Sequence, residues 1–148
     1  MADADNGAVV DRFIQALASS DVDAYESTLD PDSVAIYPQS GERFRGRANL
    51  RALMEQFRRD EPFSTSLEQA PADEPTWVMS PGFKALRVAG SGEHFTTTGR
   101  VRYATGEEWH LVQLLEVRDG RIRQVTSYFA EPFEAPEWRA AFREPTDR

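Results

Sequence analysis

The chain has 148 residues, of which 40% are hydrophobic and 28% are charged, and these fractions are typical of one soluble globular domain. Its net charge of −8 disfavours nucleic acid as a partner, because affinity for nucleic acid depends largely on basic residues that neutralise phosphates. The absence of cysteine and the presence of only two histidines exclude disulfides, thiolate sites and multi-histidine metal sites.

The N-terminal sequence and the hydropathy of the chain indicate where in the cell the protein is located. The N-terminal sequence MADADNG is acidic and is followed by no apolar stretch typical of a secretion signal, and no apolar run reaches the roughly 20 residues of a membrane span. We therefore expect a cytoplasmic protein with no membrane contact. We also expect a single domain over residues 1–148, with residues 1–5 and 144–148 frayed.

Helical periodicity dominates the first part of the chain. A first helix is predicted from Asn6, because hydrophobic residues recur on one helical face at Val9, Val10, Phe13, Ile14, Leu17 and Ala18. Asp21 is the predicted N-cap of a second short helix, which ends before Asp30 and Pro31 and has its apolar stripe at Val22, Tyr25 and Leu29. Residues 33–38 are predicted to form a strand and residues 39–46 a turn. A third helix is predicted over residues 47–60, with its buried face at Leu50, Leu53, Met54 and Phe57.

Strand patterns dominate the rest. Strands are predicted over residues 63–70, 76–89 with a break at 80–82, 93–104, 107–118 and 121–130. A short helix over 134–143 follows, and Trp138 is expected to pack it onto the body of the domain. Thr105-Gly106 and Asp119-Gly120 indicate hairpin turns. Helices followed by consecutive hairpins predict an α+β fold, in which a curved antiparallel sheet wraps around the N-terminal helices and encloses a conical cavity.

Side-chain alternation divides the two last strands into faces. Trp109, Leu111 and Gln113 share one face with Leu115 and Val117, and on the next strand Val125, Ser127 and Phe129 share one face. The opposite face carries His110, Val112, Leu114 and Tyr128. Since both faces are apolar and the helices of one subunit can cover only one, we predict a homodimer through Val112, Leu114 and Tyr128.

Several side chains are candidates for contact with a small molecule. Gln113 lies among apolar residues and must find a hydrogen-bond partner, which is either an internal group or a ligand. Tyr37 ends an apolar strand before Pro38, and its hydroxyl meets either a backbone group or a ligand. Arg100 and Arg102 share a face with Thr96 and Thr98. They bind an anionic group if that face lines the cavity, and are surface charges if it faces solvent.

Three segments carry a resemblance to a known family: VVDRFIQALASSDVDAY, YPQSGERFRGRANLRAL and LLEVRDGRIRQVTSYFAEPFEAPEW. In their succession and in the length of the chain they resemble SnoaL-like members of the nuclear-transport-factor-two superfamily. The resemblance covers nearly the whole chain. That superfamily includes ketosteroid isomerases, limonene-type epoxide hydrolases and polyketide cyclases as well as non-catalytic proteins, so the resemblance alone does not determine the function.

The resemblance also implies where the site residues lie. Ketosteroid isomerases have a tyrosine and two aspartates at positions similar to Phe13, Tyr37 and Gln113, so that mechanism is not expected here. Limonene-type epoxide hydrolases hold an arginine between two acids, and the similar positions are Arg100, Arg102 and Ser127, which again lack the acids. For the acidic residue of polyketide cyclases, Glu108 and Glu131 are the nearest candidates.

Two functions from different classes remain open at this stage. The first is a protein that binds a hydrophobic ring compound and catalyses cofactor-free cyclisation, isomerisation or dehydration, with Tyr37 and Gln113 as its polar groups. The second is a non-catalytic ligand-binding or protein-interaction module of the same fold. In both, the predicted cavity wall contains Phe13, Phe57, Trp77, Arg100, Arg102, Trp109, Leu111, Ser127 and Phe129. No metal and no cofactor is indicated by any motif in the sequence.

Overall fold

The computed structural model of the protein describes residues 2–60, 83–103 and 106–145. The helices in these ranges are α1 (Ala2–Ser19), α2 (Val22–Ser27), α3 (Arg47–Asp60) and the 3-10 helix η1 (Glu137–Phe142). The strands are β1 (Leu29–Tyr37), β2 (Glu42–Arg45), β3 (Phe83–Ser91), β4 (His94–Arg102), β5 (Glu108–Arg118) and β6 (Arg121–Ala130). None of the described helices is long and apolar enough to cross a lipid bilayer.

The N-terminal helices bury the face that their sequence predicts. Val9 and Phe13 of α1 are at most 1% exposed, because the hydrophobic stripe of this helix packs against the sheet. Helix α1 begins at Ala2, upstream of the predicted start at Asn6. The predicted N-cap of α2 is confirmed, since the Asp21 carboxylate accepts a hydrogen bond from the backbone N–H of Ala24 at 3.0 Å.

The six described strands form one sheet in the order β2-β1-β6-β5-β4-β3, which curves around the helices. The α+β class predicted from the sequence is confirmed. One pairing departs from the expected antiparallel arrangement, because β1 pairs with β6 in parallel. These strands are far apart in sequence, so no hairpin turn could signal their pairing. As a consequence, the end of β1 that carries Tyr37 lies beside the middle of β6.

Three further sequence predictions have different outcomes. Strand β2 lies inside residues 39–46, which were predicted to form only a turn. Trp138 was expected to pack a final helix onto the domain, and this is wrong: its side chain is 72% exposed, and the Arg139 guanidinium lies 5.3 Å from its ring centre. The predicted strand 63–70 and the upstream part of 76–89 lie outside the described residues.

Asn6 fastens α1 to two hairpin turns. Its side chain is 1% exposed. The amide Nδ2 donates to the Gly92 carbonyl at 2.8 Å, in the β3–β4 turn. The amide oxygen accepts from the Gly120 backbone N–H at 2.9 Å, in the β5–β6 turn. One buried amide therefore holds two turns and a helix together at one end of the sheet, and the other end is left to form the candidate site.

Candidate functional site

A cavity of about 490 Å³ lies between the helices and the concave face of the sheet. This volume is within the usual range for small-molecule sites. Helix α1 contributes Phe13, α3 contributes Phe57, and the remaining wall comes mainly from β1, β4, β5 and β6. Of the described residues that line it, Glu42 is the only one with a charged side chain. The cavity wall is therefore predominantly apolar.

Most of the predicted site residues meet at this cavity. Its wall contains Tyr37, Gln113, Phe13, Phe57, Trp109, Leu111, Ser127 and Phe129. The alternation of β5 and β6 placed their members correctly, because residues two apart on a strand point to the same face. Trp77 lies outside the described residues, so its predicted place in the wall stays a prediction.

The prediction that Arg100 and Arg102 line the cavity is wrong. Strand β4 turns Val101 inward, and alternation puts both arginines on the convex face. There the Glu108 carboxylate pairs with them, at 3.3 Å from Arg100 Nη1 and 3.1 Å from Arg102 Nη2. Glu108 is thus engaged outside the cavity, and Glu131 is exposed beyond the end of β6.

A row of polar side chains crosses the wall of the cavity at Gln113. The Thr97 hydroxyl donates to the Gln113 amide oxygen at 3.2 Å, and the Gln113 amide nitrogen donates to the Ser127 hydroxyl oxygen at 3.4 Å. All three residues are at most 6% exposed. The glutamine amide has two N–H groups, and this row engages one of them. Among the described residues neither the second N–H nor the Ser127 hydroxyl proton has another partner, so both can donate to an acceptor in the cavity.

Trp109, another residue of the wall, carries a buried polar group. Its indole Nε1 is buried and has no hydrogen-bond partner among the described residues. The ring packs edge-on against Tyr103, with 5.3 Å between ring centres. A buried N–H without a partner costs on the order of 1–3 kcal/mol, and an acceptor atom on a bound molecule or a water would remove this cost.

Tyr37 lies in the cavity wall between two phenylalanines. Its ring makes edge-on contacts with Phe44 at 5.3 Å and with Phe129 at 5.4 Å. Burial raises the pKa of Tyr37, and the neighbouring Glu42 carboxylate and Tyr103 raise it further. The phenol therefore stays neutral at physiological pH, and can donate a hydrogen bond but does not act as a base.

Sequence reasoning missed other residues of the wall. Tyr25 of α2 packs against Phe13 with 5.6 Å between ring centres, and burial raises the pKa of its phenol as well. Glu42 lies directly opposite Tyr37 in the β1–β2 pairing. The helical stripe of α2 identified Tyr25 as buried but not as part of a cavity. Glu42 gave no signal, because the strand that carries it was predicted to be a turn.

The fold agrees with comparisons to known proteins. A sequence model of the SnoaL-like domain matches residues 10–125, and the chain therefore belongs to the SnoaL-like domain family. An NTF-2 like protein of unknown function from Burkholderia xenovorans LB400 is similar to this chain, with 33% identity over 97% of each chain and a TM-score of 0.72. No curated protein matches the chain.

More distant structures share the fold alone. A candidate ketosteroid isomerase from Kribbella flavida DSM 17836 has 19% identity and a TM-score of 0.74, over 99% of this chain and 93% of that one. An LEH-like epoxide hydrolase from M. tuberculosis has 21% identity and a TM-score of 0.63, over 86% of this chain and 84% of that one. At these identities the comparison supports the architecture and leaves the chemistry to the residues of this cavity.

Proposed function

We propose that the protein binds a neutral, largely apolar small molecule that carries an oxygen acceptor. The observation that supports this most directly is the polar row at Gln113, which offers hydrogen-bond donors within an apolar wall. Ligand sites usually combine an apolar wall with a few polar groups that fix orientation. A ketone, ester or hydroxyl oxygen would accept from Gln113 or Ser127.

The charge of the wall supports a neutral ligand over an anion. Arg100 and Arg102, which would attract a carboxylate, lie on the convex face and are paired with Glu108. The neutral phenol of Tyr37 adds a hydrogen-bond donor that carries no net charge. A buried anion without a cation partner would be strongly disfavoured by desolvation.

The first test is native mass spectrometry of the purified protein, which would identify a retained ligand. The second uses 2-acetylnaphthalene, an apolar ketone, titrated by fluorescence. We expect Gln113→Met and Tyr37→Phe each to weaken binding by about two- to tenfold, the cost of one lost hydrogen bond. Gln124→Met and Tyr128→Phe are the matched controls, because both residues lie on the convex face. Equal affinities for the site variants and their controls would contradict the proposal.

A second candidate function is cofactor-free proton transfer on the bound molecule, as in an isomerase, cyclase or dehydratase. It is favoured by the juxtaposition of Tyr37, a neutral proton donor, with Glu42, a carboxylate that can accept a proton. Nuclear magnetic resonance of 2-tetralone in deuterated water tests it, because base catalysis would exchange the hydrogens next to its carbonyl. We expect Glu42→Gln to abolish any exchange that the wild-type protein accelerates. Exchange at the uncatalysed rate would leave ligand binding as the function.

We also propose a homodimer through the convex face of the sheet. Val112, Leu114 and Tyr128 form its centre and are 36%, 44% and 40% exposed in the single chain. They are adjacent, because Val112 pairs with Tyr128 and Leu114 lies two residues along β5. A second copy would cover this apolar face by two-fold symmetry.

Light scattering at micromolar concentration tests the dimer. We expect the wild-type protein to be a dimer and Leu114→Glu to be a monomer. Phe142→Glu is the control, since Phe142 is 84% exposed but lies in η1 and not on a strand of the sheet. A monomeric wild-type protein would contradict the proposal.

A further inference from the structure

Arg51 of α3 contacts carboxylates from two helices. Its Nη1 lies 2.8 Å from Asp23 Oδ1 and also pairs with the Glu26 carboxylate, and both acids belong to α2. Its Nε donates to Glu55 Oε1 at 3.0 Å, one turn further along α3. The contact with Glu55 fixes the course of the arginine side chain, and the other two contacts join α3 to α2. Among the ion pairs of the described residues, these are the ones that link two helices.

The two joined helices form one side of the cavity. Helix α2 contributes Tyr25 to the wall, and α3 contributes Leu50, Leu53 and Met54. Helix α2 has only six residues, so contacts outside the helix determine where it lies. The separation between α2 and α3 therefore affects the width of the cavity at this side, and Arg51 bridges that separation.

The charges around Arg51 indicate what its removal would do to the two helices. Three carboxylates surround one guanidinium, so its removal leaves two negative charges on α2 facing one on α3. Hydrogen bonds to Glu26 and Asp23 raise the pKa of Arg51, which keeps the guanidinium charged. The Arg51 side chain is 32% exposed and Asp23 is 85% exposed, so dissolved salt can reach and screen the cluster.

We propose that Arg51 is a positioning residue that holds α2 against α3 and thereby limits the width of the molecule that the cavity admits. The proposal rests on ligand binding in this cavity, the function proposed above. In the absence of Arg51, repulsion between the carboxylates of α2 and α3 would separate the helices and admit a broader ligand.

A distance measurement tests the structural part without any ligand. The chain has no cysteine, so Ser27→Cys on α2 and Ala52→Cys on α3 give a unique pair of sites for spin labels. We expect the label-to-label distance to increase and its distribution to broaden in Arg51→Met. Salt at about 1 M should reverse part of this increase in the variant, because it screens the repulsion between carboxylates that are more than about 3 Å apart. Arg118→Met is the control, because the Arg118–Glu93 pair joins β5 to the β3–β4 turn and includes no residue of α2 or α3.

Two isomeric ketones test the effect on ligand choice. The molecules 2-acetylanthracene and 9-acetylanthracene have the same atoms, but the first is narrow and the second is broad. We expect Arg51→Met to shift the ratio of their dissociation constants about two- to fivefold toward the broad isomer. Arg51→Lys should shift it less, because an ammonium keeps the charge without the fork of donors. Arg118→Met should leave the ratio unchanged.

The outcomes separate the inference from the proposed function. Unchanged label distances in Arg51→Met would overturn the role of Arg51 in holding the helices. Increased distances with an unchanged isomer ratio would overturn its role in ligand choice. If the wild-type protein binds neither isomer, the proposed function and the role in ligand choice fail together, whereas the label distances still decide whether Arg51 holds the helices. Glu26→Gln removes one α2 partner of Arg51 and should shift the label distance and the isomer ratio by smaller amounts. This variant replaces Arg51→Met in both tests if Arg51→Met does not fold.

Discussion

Substitution of Asn6 by leucine should destabilise the protein more than any other polar substitution on α1. The side chain is 1% exposed and makes two hydrogen bonds, to the Gly92 carbonyl and to the Gly120 N–H. Leucine has the same branched arrangement of heavy atoms but can make neither bond, and both backbone groups lose their partner. At about 1–2 kcal/mol for each backbone group left without a hydrogen-bond partner, we expect the free energy of unfolding to fall by roughly 2–4 kcal/mol.

Urea denaturation followed by circular dichroism measures this change. The midpoint should fall and the slope of the transition should stay the same, because the amount of surface exposed on unfolding is similar. Asn49→Leu is the control: Asn49 makes one exposed hydrogen bond, from Nδ2 to the Arg45 carbonyl at 2.7 Å, so a loss below about 1 kcal/mol is expected. A loss for Asn6→Leu no larger than that of the control would refute the role assigned to this bridge.

Two further predictions concern backbone strain and pH. Gly90→Ala should lower the free energy of unfolding by roughly 1–3 kcal/mol, because φ is +128° and an added Cβ would lie 2.3 Å from the His94 carbonyl oxygen. Thermal unfolding measures this, and Gly7→Ala, which meets nothing within 4 Å on α1, should instead be neutral or stabilising. The protein should also lose stability above about pH 10, where tyrosines of the unfolded chain ionise while the raised pKa of buried Tyr25 keeps it protonated in the fold. Urea titrations at pH 8 and pH 11 should show a smaller loss for Tyr25→Phe, and equal losses would contradict the assignment.

The predictions that held depend on short-range periodicity. The stripe of α1 and the alternation of β5 and β6 specify which residues share a face, because the repeats of helices and strands are fixed by backbone geometry. Gln113, Ser127 and Phe129 were placed together in this way, although they lie on different strands. The same periodicity predicted the buried face of α3 that carries Leu50 and Phe57 toward the cavity.

The errors arose where the periodicity of the sequence is compatible with two different arrangements. On β4 the sequence shows that Arg100 and Arg102 share a face, but alternation does not state which face is concave. The curvature of the whole sheet decides this, and it turns Val101 inward and the arginines toward Glu108. Strand β2 was missed because a four-residue strand closed by glycines resembles a turn.

The amino-acid sequence by itself determined the class of fold, the faces of its regular elements and the apolar character of the cavity wall. These properties follow from local spacing and from the hydrophobic effect, which act along short segments. Tertiary structure alone decided the parallel pairing of β1 with β6, the bridge made by Asn6 and the cluster around Arg51. Each of these joins residues that are distant in the chain, and such partners are chosen by the packing of the whole domain. The cavity predicted from strand patterns is therefore completed by contacts that no strand pattern contains.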